Sequence, residues 1–189
     1  MKKKRILSLC MGLFFSTLLY SQMVGIKTNV VMDALRIINV GAEIGLSKKM
    51  TLDLYANYNP WEYKELQMMK MLALQPELRY WFCDRFNGHF VGAHIHGGVY
   101  QAAGIDMPFG IWPDLKDHRF KGHFYGMGVS YGYQWILSKR WNLEGNIGFG
   151  YARVKYEQFE CKTCGDKVGE GHKNYVGPTK AALSLIYVF

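Results

Sequence analysis

Between Phe124 and Leu137 every second residue is large and apolar. Tyr125, Met127, Val129, Tyr131, Tyr133, Trp135 and Leu137 share one parity, while Phe124, Gly126, Gly128, Ser130, Gly132, Gln134 and Ile136 share the other. Successive side chains on a strand point to opposite faces, so this run reads as a strand with one greasy side. The pattern recurs. Trp141, Leu143, Ile147, Phe149 and Tyr151 alternate with Asn142, Glu144, Asn146, Gly148 and Gly150. Met50, Leu52, Leu54, Ala56 and Tyr58 alternate with Thr51, Asp53, Tyr55 and Asn57, and Val40, Ala42, Ile44 and Leu46 with Gly41, Glu43 and Gly45. Eight such segments begin near Ile26, Asn39, Met50, Lys70, His89, Lys121, Trp141 and Tyr175. Helical periodicity is hard to find, so the chain is expected to be all-β.

The joins between segments alternate in length. Ser47 to Lys49, Cys83 to Gly88 and Ser138 to Arg140 are short, whereas Pro60 to Met69, Gln101 to Phe120 and Glu157 to Asn174 are long; Ala34 to Ile38 is short for its class. Short turns alternating with long loops predict an eight-stranded antiparallel transmembrane β-barrel with short periplasmic turns and longer extracellular loops. Ala181, Leu183, Leu185, Tyr187 and Phe189 share one parity, and Leu183, Leu185, Tyr187 and Phe189 are expected to form the terminal strand read by the outer-membrane assembly machinery. The competing architecture is a soluble barrel of the lipocalin type with an apolar interior. The minority parity argues against it, because it carries Lys27, Glu43, Asp53, Glu77, Arg79, His94, His96, Glu144 and Lys180. Tyr80, Phe82, Tyr133, Trp135, Trp141, Tyr187 and Phe189 also gather near the short turns, as an interfacial girdle would. Pro76 falls inside the fourth segment, where a closed sheet has no free edge, and predicts a bulge.

Export is expected from the N-terminus. Lys2, Lys3, Lys4 and Arg5 precede an apolar run from Ile6 to Leu19, and the small Ser21 stands before Gln22. This is the order of a signal peptide over residues 1–21, leaving 22–189 as the barrel, and the run is short for a membrane-spanning helix. Cys10 follows Leu9 rather than a small residue, which speaks against a lipoprotein. Without the signal, 19 basic residues face 15 acidic ones and form no block, so nucleic acid is not an expected partner. An odd number of cysteines remains: Cys83, Cys161 and Cys164.

The strings KTNVVMDAL, LDLYANYNPW, QPELRYWFCDRFNGHFVGAH, GVSYGYQWILSKRWNLEGNIGFGYA and NYVGPTKAALSLIYVF resemble domain-of-unknown-function family 3575, small exported proteins common in Bacteroidetes. The resemblance covers nearly all of the mature chain. It implies an outer-membrane barrel, with members often encoded near fimbrial components, and it supplies no catalytic residues.

Inward charges are expected to pair, since charge removed from water is costly unless compensated. Lys27, Arg79 and Lys180 against Glu43, Asp53, Glu77 and Glu144 predict a packed polar plug in preference to a conducting pore. His94 and His96 share a face as metal ligands would, but no third ligand is evident; joining the lumenal hydrogen bonds is the preferred reading. Cys161 and Cys164, with His172 eight residues on, favour a loop disulfide over free thiols and over a metal site, and Cys83 lies at the opposite end. His118 and His123 near the outer rim lack the partners of a recognisable catalytic arrangement, so no catalytic, cofactor-binding or metal residues and no cofactor are expected. The expected role is non-enzymatic and structural or surface-interacting. Its partners would be outer-membrane lipids and, through loop aromatics Trp61, Tyr63, Phe109 and Trp112, a fimbrial or other surface protein. A lipid-A-modifying enzyme and a narrow channel are the alternatives.

Overall fold

Alternating side chains leave both backbone edges of a strand free to pair, and here every strand finds a partner on each side. The computed structural model describes residues 23–61, 68–104, 118–160 and 165–189. Its strands are β1 (Val24–Asn29), β2 (Ile38–Gly45), β3 (Met50–Asn59), β4 (Met68–Trp81), β5 (Gly88–Ala103), β6 (Arg119–Ile136), β7 (Trp141–Phe159) and β8 (Lys167–Val188). They pair antiparallel in sequence order, and β1 with β8 closes the barrel. One end carries the connections 46–49, 82–87 and 137–140; the other carries 30–37, 60–67, 104–118 and 160–166.

The wall is lopsided. The strands from β4 to β8 outreach β1, β2 and β3 at the long-connection end, and β1 covers only Ser184 to Val188 of β8. Above that seam stands a single helical turn, α1 (Val30–Ala34), which ends the first strand at Asn29, ahead of the join expected at Ala34 to Ile38. Asn29 caps it, its side chain accepting from Val31 N. The same side chain donates to Ala181 O and accepts from Leu183 N, both at 3.2 Å, extending the seam beyond the last backbone pair.

Two expectations are corrected. Strand β8 begins at Lys167 rather than near Tyr175, so most of the supposed Glu157–Asn174 loop is β-ladder with β7. Pro76 makes no bulge. Its pairing with β3 continues, while pairing with β5 lapses at Gln75 and Pro76 and resumes in the same register. A residue without an N–H forfeits its ladder bonds without having to shift the register. Register shifts occur instead in β8, between the pairs Gly148–Lys180 and Phe149–Pro178 and again near Val168. Residues 1–22 and Cys161 and Cys164 lie outside the described residues, as do Tyr63, Phe109 and Trp112.

Candidate functional site

The lumen is built from alternate residues of every strand, the inward parity of β8 switching at the register shift beside Thr179. Seven charged residues, Lys27, Glu43, Asp53, Glu77, Arg79, Glu144 and Lys180, project inward from β1, β2, β3, β4, β7 and β8 and meet in one cluster. Arg79 stands at its centre with no solvent exposure. Its Nε donates to Glu77 at 2.6 Å, Nη1 to Glu43 and Glu144 at 2.8 Å each, and Nη2 to Asp53 at 2.7 Å and Glu144 at 3.0 Å. The planar guanidinium offers five N–H donors in a fixed fork, which suits it to hold several carboxylates at once. Lys27 donates to Glu43 and, at 3.1 Å, to Glu144, and lies 3.3 Å from Asp53. Lys180 donates to Glu77 at 3.0 Å. Four carboxylates thus face three permanent cations, and His94 Nδ1, 3.5 Å from Glu77, adds positive charge when the ring is doubly protonated.

Glycines make the room. A Cβ on Gly41 would strike the Lys27 stem and the Tyr55 ring, and one on Gly92 would strike Ser130 and Glu77. Ser130 and Gly92 are register partners, so small residues on adjoining strands leave the space that Glu77 fills.

An aromatic floor closes the lumen toward the short connections. Trp81 and Phe90 are wholly buried, their rings 4.7 Å apart, and Phe86 packs on Trp81 from the 82–87 connection. The Arg79 guanidinium rests 4.5 Å from the Phe90 ring centroid, so floor and charges form one body. Trp81 Nε1 donates to Thr51, which donates in turn to Glu43. Reading the charged parity alone overlooks this floor. Trp81 and Phe90 share the parity of Arg79 and His94, a signal that could have found them. Phe86 had none, since it reaches inward through a left-handed backbone with φ of 62°.

Above the charges lies a cavity of about 230 Å³ lined by Asp53, Tyr55, Gln75, Thr179 and Lys180 among others. Tyr55 donates to Asn39 there. His94 Nε2 is 2.9 Å from Thr179 Oγ1, and the His94 and His96 rings are 5.6 Å apart. Among the described residues no three His, Cys, Asp or Glu side chains are arranged to hold a metal. Phe120 packs with Ala102, Tyr100 and Tyr156 further up, and a mouth of about 960 Å³ opens at the long-connection end.

The outer parity is the reverse. Ile95, Met127, Val129, Ile147 and Phe149 are each more than half exposed on adjoining strands. Toward the short connections this band ends in packed rings, with Tyr80 on Phe82, Tyr133 on Trp135, Trp141 on Tyr187 and Tyr187 on Phe189. Beyond the rings come Lys48, Lys49, Lys139 and Arg140, all exposed. Leu183 and Leu185 join Tyr187 and Phe189 on the outward parity, while Ser184 and Ile186 face in. Cys83 is exposed and unpaired in the 82–87 connection.

A closed eight-stranded antiparallel barrel with a charged lumen and an apolar exterior is the class these features define. The family model for the protein of unknown function DUF3575 matches residues 6–189, and the chain belongs to that family. No curated protein matches it.

Proposed function

We propose that this chain is a small outer-membrane β-barrel, exported by a cleaved signal peptide over residues 1–21, with a non-enzymatic structural or surface-interaction role. The observation that carries the reading is the inverted polarity: charge sealed inside, a continuous apolar band outside. Water would not tolerate so much exposed Leu, Ile, Val and Met on adjoining strands without association, whereas lipid requires it. Rings at the band's edge and cations beyond them match the amphipathic and then charged layers of a membrane interface. Over the part of the wall that β1 and β2 reach, closure pairs each strand on both sides, as hydrocarbon demands. On this reading the short connections face the periplasm and the long ones the exterior, where exposed Trp61 and its neighbouring loops meet a fimbrial or other surface protein. The assembly machinery would engage β8.

Membrane fractionation and gel mobility test the location. The protein should sediment with the outer membrane and migrate faster unheated than boiled, and recovery from the soluble periplasm with no heat-dependent shift would overturn the reading. Affinity purification from the native membrane, followed by mass spectrometry, tests the role by asking whether a surface component accompanies the barrel.

A further inference from the structure

The outer wall carries a cationic cluster at the long-connection end of β6, β7 and β8. Register places His123, Lys155 and His172 directly opposite one another on the outward parity, and all three are exposed. Lys121 lies two residues along β6 and Arg153 two residues along β7, on the same face. Relief from the neighbouring row is partial: Glu157 is the register partner of Lys121, but Glu157 and Glu170 both accept from Lys167, at 2.8 and 2.7 Å, leaving four permanent cations, Lys121, Arg153, Lys155 and Lys167, against two carboxylates. None of the five cluster residues forms an ion pair with a described residue. Arg153 Nε is shielded from solvent with no hydrogen-bond partner.

Arg153 is the register partner of the outward Tyr125, and Tyr151, Met127, Val129 and Phe149 continue the same face downward as apolar wall. We propose that the cluster docks the phosphate of an anionic membrane lipid whose acyl chains lie on that wall. A guanidinium fork and two ammonium groups suit a phosphate's oxygens, and the apolar face below would bind the chains that a free anion lacks. This inference rests on the outer-membrane reading above.

The test reconstitutes the full barrel into nanodiscs of equal zwitterionic and phosphate-bearing anionic lipid, then counts retained lipids by native mass spectrometry. The wild type should retain anionic lipid in excess, and the Lys121→Gln, Arg153→Gln, Lys155→Gln triple variant should lose that excess by roughly tenfold or more while keeping its heat-dependent gel shift. Equal retention of both lipids by a wild type that shows the shift would overturn the docking site and leave the membrane reading standing. Failure to insert or shift at all would overturn the membrane reading itself. Full displacement of the lipid by excess inorganic phosphate would assign the cluster to soluble anions and overturn the lipid assignment.

Discussion

Arg79 donates to four carboxylates from a site that water does not reach, so its loss leaves like charges facing one another in a dry interior. Breaking a buried pair by removing one partner costs about 3–5 kcal/mol, chiefly for the charge left behind. Arg79→Ala should lower the unfolding free energy by about that amount, measured by urea unfolding in detergent micelles. Adding Glu144→Gln should recover part of the loss by removing one stranded charge, and an additive or worse double variant would show that the carboxylates do not feel Arg79. Asn29 is a second residue whose side chain does what backbone does elsewhere, capping α1 and bonding two backbone groups of β8. Asn29→Ala should cost about 1 kcal/mol for the cap alone and should speed hydrogen exchange at the Leu183 amide far more than at Leu185. Equal protection of the two amides in the variant would contradict a clasping role.

At the scale of the strands, closure rests on a short seam. Five residue pairs join β1 to β8, and Phe189 N adds one further bond, to Val24 O at 2.9 Å. Phe189 also packs edge-on against Tyr187, 5.0 Å between ring centroids. Deleting Phe189 should therefore reduce the yield of heat-shifting barrel much more than Trp61→Ala, which removes an exposed ring near the opposite end; equal yields would count against the seam. The sequence makes most of these strands legible because two-residue alternation reports which face is buried, and the inward parity of all seven clustered charges follows from it. Strand ends are another matter. VGEGHKNY shows no apolar alternation, and β8 extends through it because β7 offers a backbone ladder, which side chains do not announce. Helix α1 is too short to display a helical period. Pro76 and Pro178 look alike in the sequence, yet only Pro178 adjoins a register shift, since which ladder bonds a proline forfeits depends on neighbours fixed by the fold. Which charge pairs with which also escapes parity, because Lys27 and Glu144 meet across the lumen from strands 117 residues apart.

Taken whole, the molecule is a cylinder whose two faces should answer differently to the same insult. Leu78 is exposed on the outward parity of β4, beside Arg79 on the inward one. In a bilayer Leu78→Arg should destabilise by about 2–4 kcal/mol near the midplane, and no lumenal substitution should rescue it, unlike Arg79→Ala. The lumen itself predicts electrical silence. An eight-stranded barrel has an interior just wide enough for side chains to fill, and here two barriers stand in series: the Trp81, Phe86 and Phe90 floor, and the charge cluster whose central guanidinium lies on Phe90. The mouth of about 960 Å³ is therefore expected to lead to no through-path. In planar bilayers the wild type should show no steady single-channel steps. Trp81→Ala alone should stay silent, because the charge cluster still fills the section above the floor. Combining Trp81→Ala with Arg79→Ala and Glu144→Ala thins both barriers by their largest or most central groups, and it should yield small, flickering steps if the triple variant retains its heat-dependent shift. Steady wild-type conductance that survives unchanged in the triple variant would mean that ions cross by a route these side chains do not block.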